Sequence, residues 1–430
     1  MRKVFNRLFR LKENQSSVKT ELMAGLVSFF TIVYIIAVNA SILSDAGIPM
    51  SAGIVATILV AFVGSMLMGF WANAPMLLVP GMGINALFTY TIVQSMGLSW
   101  KEALAAVFIS GILFAIIAFT SLSRIISNAI PHSLKESIGV GIGLFLAFIG
   151  LQKGGIVVPS QSMFVQLGHF GDPHVLLTIV TLILTLILFA RNVPGNLLIG
   201  IISGTVLSIL FGQTDLHKLG QSAFSLKDYQ SVFAGLSFKH ITSFTFWMAV
   251  FSLTLVTLFE NIGLTHGFIK MIDQPEKYDR SLQATALSVI TCGLFGTSPS
   301  VSTVESASGI ASGGRTGLTT ITTGVLFLGS LLFIPFIKII PDTAVAPVLI
   351  LIGGLMISGT KNINFADFTE GFPSFLIIAC IPLTSSIVDG IALGFIAYPI
   401  LKIAKGKAKE VAVTLYIIAA LFLIYFIFQA

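Results

Sequence analysis

Charge is scarce in this 430-residue chain: Asp, Glu, Lys and Arg make up only 10% of it. An ordinary soluble domain carries about 25%, so a soluble globule of this length is excluded. Cysteine is almost missing. Cys292 and Cys380 lie in apolar runs with no spacing pattern, which excludes a disulfide framework and leaves two small buried hydrophobes as the expectation. Histidine is rare, at six residues, and confined to loops and span ends. No metal-ligand cluster and no nucleophile–base pair can be drawn from it. The expectation is therefore a protein that is not an enzyme and has no cofactor and no metal. The basic residues are spread over many loops at a net charge of +6, which argues against a nucleic-acid surface. A cleavable signal peptide is also not expected. The first apolar run starts near Met23, is long, and has no small-residue cleavage site after it.

Apolar sequence fills the space that charge leaves. The chain is 55% hydrophobic with a mean hydropathy of +0.97. Runs of about 17–25 residues, the length that crosses hydrocarbon, recur from end to end. The pattern predicts a cytoplasmic N-terminal tail over 1–21 and a first half over 22–212. A polar extracellular loop follows over 213–242, then a second half over 243–404 and an extra apolar segment in 405–430. The first half holds spans at 22–44, 52–71, 75–94, 102–122, 134–151, 173–190 and 195–212. The second holds 243–267, 281–296, 300–314, 316–339, 342–359, 371–386 and 388–404, with 410–429 beyond them. The polar stretch TSSIVDG at 384–390 argues for two helices at that point rather than one.

Seven spans per half is an odd number, so the halves must insert with opposite orientation. With the N-terminus inside, 18 basic residues fall on the cytoplasmic side and 6 outside, the asymmetry that the positive-inside rule expects. The protein is thus expected in the cell membrane, multi-pass, with its N-terminus cytoplasmic and lipid around it.

The third segment of each half is broken. The first reads APMLLVPGMGINALFTYTI (74–92) and the second GTSPSVSTVESASGIASGG (296–314). Each is too short and too rich in Gly, Pro or Ser to be a seamless spanning helix. Paired interruptions at corresponding places in two halves point to a secondary transporter with its binding site at the midplane. Pro80, Gly81 and Gly83 permit extended or strained backbone before a half-helix expected to start near Asn85, a good N-cap residue. Ser302, Thr303 and Ser306 are expected to play the matching part, after Pro299. Two half-helix N-termini facing each other would carry partial positive charge.

Most acids lie at span ends or in loops, Glu21 among them. Two do not: Glu260, inside the eighth span, and Glu305, at the start of the helical part of the tenth. A carboxylate at that depth marks function by default. Asp389 reads as a cap or turn residue and His266 as a wetted interface histidine. A bare anion suits helix N-termini but is repelled by two carboxylates; a bare cation suits the reverse. A planar heterocycle with C=O beside N–H suits both, as in guanine and hypoxanthine, and this chemistry allows uracil or xanthine equally. A carboxylate can accept two adjacent N–H groups as a pair.

The stretches 29–43 (FFTIVYIIAVNASIL), 79–90 (VPGMGINALFTY), 258–267 (LFENIGLTHG), 297–324 (TSPSVSTVESASGIASGGRTGLTTITTG) and 387–402 (IVDGIALGFIAYPILK) are similar to the nucleobase transporter superfamily. Within it the chain resembles the AzgA-like hypoxanthine/guanine/adenine permease branch, over about residues 20–404. The resemblance implies an all-α polytopic fold of seven plus seven inverted spans. Spans 1–4 and 8–11 would form a core domain and 5–7 and 12–14 a gate domain. It also implies proton-coupled uptake of purine bases, a homodimer through the gate domain, and binding or coupling roles for Asn85, Glu260 and Glu305. Gly83 and Ser306 complete the expected substrate site, and Glu260 is expected to carry the proton. The sequence departs from the family at the eighth span, which usually carries Asp at the place of Glu260 and often a second acid near Thr257. The other reading is an anion transporter on the same inverted-repeat scaffold.

Overall fold

The computed structural model describes residues 8–120, 122–123, 129–160, 164–214 and 229–429. Much of the expected 213–242 loop and part of the N-terminal tail therefore lie outside the described residues.

The order of elements runs twice. The first half begins with α1 (Val18–Ile32) and α2 (Ile35–Asp45), one apolar span with a turn at Val33 and Tyr34. Next come α3 (Met50–Leu67), the strand β1 (Leu78–Pro80), α4 (Met82–Ala86) and a π-helical stretch over Leu87–Ser95. The half closes with α5 (Trp100–Ala118), α6 (His132–Lys153), α7 (Pro173–Ala190) and α8 (Asn196–Leu210). The second half has α9 (Phe244–Ile272), α10 (Tyr278–Phe295), the strand β4 (Ser300–Ser302), α11 (Ser306–Ala311), α12 (Gly317–Gly329) and α13 (Ile334–Ile337). It ends with α14 (Asp342–Met356), α15 (Phe368–Thr384) and α16 (Ile387–Ala404); α17 (Val413–Gln429) stands beyond. Nine helical segments among the described residues are long and apolar enough to cross a membrane, and three shorter apolar helices join them.

Local chemistry explains many of the ends. Ser99 and Glu102 form a reciprocal capping box that starts α5. Asp172 caps α7, with Pro173 at its first position. α10 stops at Gly296, whose φ of 86° suits glycine. Ser385, at φ 53°, breaks the chain between α15 and α16 and confirms two helices there. A hairpin of β2 (Val157–Pro159) and β3 (Val165–Leu167) follows α6 and had no counterpart in the hydropathy pattern.

The two broken segments meet. β1 and β4 pair antiparallel, with Leu78 opposite Ser302, Val79 opposite Val301 and Pro80 opposite Ser300. The antiparallel pairing matches two halves of opposite orientation. Strand backbone is tolerated at that depth only where protein or a cavity satisfies it, and here each strand satisfies the other. α1 to α5 and α9 to α12 pack around this pair as a core, while α6, α7, α8, α14, α15 and α16 pack on one another as a second group. Small residues let the core helices approach. A Cβ on Gly293 of α10 would lie 2.8 Å from the Phe108 backbone of α5. α17 packs along α16 and reaches α9 through Phe422, whose ring lies 5.4 Å from that of Phe251 and 6.0 Å from that of Phe395.

Glu21 lies at a span end as expected, in the first turn of α1. It is fully buried, and its carboxylate accepts the Arg315 and Thr316 amides and the Thr319 hydroxyl at the start of α12. Cys292 is buried as expected, but Cys380 is only half-buried. Asp389 is not a cap either: Ser386 caps α16, and Asp389 sits in its first turn.

Candidate functional site

A cavity of about 720 Å³ lies where the broken segments meet the second helix group. The core side is built by Tyr34, by Pro80 to Gly83, by Val256, Phe259 and Glu260 of α9, and by Val301 to Glu305. The facing wall comes from Ile138 and Ile142 of α6 and Ile352 and Met356 of α14. His132, Lys135, Glu136 and His266 line one end of it, where α6 begins and α9 nears its close. The wall is thus mostly aliphatic and aromatic, with a few convergent polar groups, the usual character of a small-molecule site.

Glu260 and Glu305 both face this space and both are half-buried. Their surroundings differ. The Tyr34 hydroxyl donates to Glu305 Oε1, so that carboxylate is held by its neighbour on the core side. Glu260 has no hydrogen-bond partner among the described residues, and its carboxylate is free to meet a ligand or a proton. The backbone around Glu260 is fixed by its neighbour. Asn261 donates to the Thr257 carbonyl at 2.8 Å and accepts the Ser302 amide at 2.9 Å, which pins α9 to β4.

Glu305 occupies the N-cap position of α11, as the sequence suggested. α11 is only six residues long, so its end contributes little dipole. α4 begins at Met82 with Gly81 before it, three residues ahead of the expected start at Asn85. Its first N–H groups, at Met82 and Gly83, have no partner within the helix, and both residues line the cavity. Gly83 leaves no room for a side chain: a Cβ would meet Ile142 Cγ2 at 2.6 Å.

Two expected site residues are not brought to the cavity. Asn85 is fully buried within α4 and neither caps it nor lines the cavity. Its carbonyl oxygen accepts from the Ser298 hydroxyl, and its amide nitrogen is left unpaired. Ser306 is buried and accepts the Leu77 amide at 3.0 Å, a pin between the two broken segments. His266 is exposed at the cavity end, edge-on to the Tyr278 ring. Tyr34 was missed as a site residue, and Asn261, which does not line the cavity, was missed as the pin that holds α9 to β4. The break in the first span was invisible in hydropathy, and Asn261 read only as the neighbour of Glu260. No group of three or more His, Cys, Asp or Glu that could hold a metal occurs among the described residues.

At the far end of α6 the two helix groups are tied together. Lys153 lies 2.8 Å from Asp45 of α2 and 3.5 Å from Asp342 of α14. The Tyr90 hydroxyl donates to Asp45 at 2.6 Å, and Ser41 donates to Asp342 at 3.2 Å. The cavity is therefore lined to one end of α6, and an ion-pair cluster joins the groups at the other.

The sequence model of the Permease family, Xan_ur_permease, matches residues 19–393. The nucleobase transporter PlAzg2 of Paenibacillus larvae is 54% identical over 89% of this chain and 77% of its own length. The guanine/hypoxanthine permease PbuO of Bacillus subtilis is 39% identical over 97% of this chain and 99% of its own. The adenine permease AdeQ of Escherichia coli is 36% identical over 97% and 95%. These relatives fit the AzgA-like branch expected from the motifs. Among solved structures, the transmembrane domain of the cyanobacterial bicarbonate transporter BicA superposes with a TM-score of 0.63 at 16% identity, over 87% of this chain and 96% of that one. This likeness establishes the scaffold, with its core and gate groups, and nothing about the ligand.

Proposed function

Because this chain belongs to the permease family, we propose that it imports purine bases, guanine and hypoxanthine with adenine in the same class, across the cell membrane by proton symport. The observation that carries the reading is the cavity itself, lined by Glu260 of α9, by Glu305 at the start of α11 and by the first residues of α4. Glu305 accepts N–H groups of the base, and the N–H groups at Met82 and Gly83 donate to its carbonyl or ring nitrogens. The aliphatic wall from α6 and α14 covers the ring faces. Asn85 and Ser306 serve the site at one remove, by holding the broken segments in place.

Glu260 carries the proton in this reading. It lines the same cavity as Glu305 without a protein partner among the described residues, so its protonation removes one negative charge from the cavity and lets base and proton cross as a neutral load. One charge moving through about 100 mV supplies roughly 2.3 kcal/mol, enough for roughly 50-fold accumulation of a neutral base. The excess of basic residues on one side supports a cytoplasmic N-terminus, with the His132 end of the cavity open to the cytoplasm and the Lys153 end closed to the outside. Dimerisation would use the gate group. Anion transport on the same scaffold is disfavoured by the paired carboxylates.

The reading is tested by labelled hypoxanthine uptake in a host lacking its own purine permeases, with unlabelled bases as competitors. Saturable uptake, inhibited by guanine and hypoxanthine and untouched by bicarbonate or sulfate, is the expected result. Absence of any purine uptake by a protein that reaches the membrane would overturn it.

A further inference from the structure

The two acids expected at the site differ in one respect: Glu305 is held by a phenol, and Glu260 is not. Tyr34 sits at the turn between α1 and α2, 271 residues from Glu305 in sequence, and is 2% exposed. Its ring packs in the main apolar core while its hydroxyl reaches the cavity and donates to Glu305 Oε1. We propose that Tyr34 is the positioning residue that sets base preference, by fixing the Glu305 carboxylate and occupying one of its two oxygens.

The inference rests on the purine reading of the cavity and sharpens it. A free carboxylate accepts two adjacent N–H groups with two oxygens. Glu305 offers Oε2 undivided and Oε1 already shared. Hypoxanthine presents one N–H donor, N1–H, on its pyrimidine edge, and Oε2 alone satisfies it. Guanine presents N1–H and the N2 amino group side by side, so its second donor must share Oε1 with Tyr34. A carboxylate oxygen can accept two donors, so the guanine N2 amino group still bonds Oε1, but in competition with the phenol, whereas hypoxanthine uses Oε2 alone. Tyr34 also keeps the carboxylate from rotating, which lowers the ordering cost of binding for a single-donor base.

The test is Tyr34→Phe, which keeps the ring in the core and removes only the hydroxyl. Inhibition constants of guanine and hypoxanthine against labelled hypoxanthine uptake are compared between wild type and variant. The ratio should move in favour of guanine by about threefold or more, and by less than the roughly tenfold effect of a whole hydrogen bond to a charged group. A purely structural role would change the amount of active protein, hence maximal rate, and leave the ratio of constants alone. Equal changes for both bases, or an unchanged ratio, would overturn the proposal. Site-specific 3-fluorotyrosine at position 34 keeps shape and fold and makes the hydroxyl a stronger donor. It should move the ratio toward hypoxanthine, so a folding failure of the phenylalanine variant still leaves a decisive measurement; no shift, or a shift toward guanine, contradicts the idea. If wild type takes up neither base, the purine reading fails first, before Tyr34 is at issue.

Discussion

Replacing Lys153 with Met should weaken the closure at the far end of the bundle. Lys153 ends α6 in the gate group and bridges Asp45 of the core, at 2.8 Å, and Asp342 of its own group, at 3.5 Å. The side chain of Lys153 is 12% exposed and that of Asp45 29%, so the pair sits between a surface bridge and a buried one. Full Coulomb attraction is much reduced by solvent and by the cost of desolvating both groups, and exposed pairs give only about 0.2–1 kcal/mol. A charge-assisted bond in this setting contributes about 1–2 kcal/mol. Asp45 keeps its bond from Tyr90 and Ser41 still donates to Asp342, so the charged tie across the groups is lost while a neutral one remains. If that tie exists only when this end is closed, the ratio of closed to open molecules should fall by about 5–30-fold.

The assay is pulsed electron–electron spin resonance between labels at Ser95, on the core, and Phe170, on the loop after α6, both exposed. The background carries Cys380→Ser, since Cys292 is buried. In Lys153→Met a longer-distance population should grow at the expense of the shorter one, and Asp45→Asn should do the same. An unchanged distance distribution in both variants would refute the assignment of this cluster as a closure.

Glu260→Gln should still bind or exchange hypoxanthine but should fail to concentrate it in proteoliposomes under an imposed pH gradient; accumulation at the wild-type level would place the proton elsewhere, with Glu305 next in line. Asn85→Ala should lower uptake of guanine and hypoxanthine by the same factor, because Asn85 is bonded to Ser298 and does not line the cavity; a change in their ratio would contradict that. Lys277, between α9 and α10, supplies a pH effect. Burial, with help from Arg10, holds its ammonium down at about 8 from 10.5, against the pull of Glu276 and Glu21. The folded state then binds fewer protons than the unfolded state between those values, so stability rises with pH through that window and the penalty is complete below it. The melting temperature of wild type should gain on that of Lys277→Met between pH 8 and pH 10 and run parallel to it below pH 7; a constant difference across the range would remove Lys277 as the cause.

The broken segments were legible because proline, glycine and serine cluster there, around Pro80, Gly81 and Gly83 in one and Pro299 in the other, whereas isolated prolines such as Pro347, Pro373 and Pro399 stay inside helices. Hydropathy likewise marked α7 and divided α15 from α16 at TSSIVDG. The pairing of β1 with β4 was not legible, since three-residue strands carry no alternation to read and their register depends on contacts across the chain. Asn85 and Glu21 show the other limit. A polar side chain in an apolar run signals that a partner exists, but not whether the partner is a ligand or protein. Here Asn85 found Ser298, and Glu21 found the start of α12. Tyr34 gave no sign at all, because a tyrosine in an apolar span reads as packing until Glu305 is seen beside it.

The central claim is that a purine base sits between the two carboxylates, and a structure of the purified protein with bound hypoxanthine, read beside equilibrium binding to Glu305→Ala, tests it most directly. The account predicts density for the base in the cavity among Tyr34, Gly83, Glu260 and Glu305, with its N1–H on Glu305 Oε2, and loss of saturable binding in the variant. Density elsewhere, or wild-type affinity in a folded Glu305→Ala protein, would contradict it.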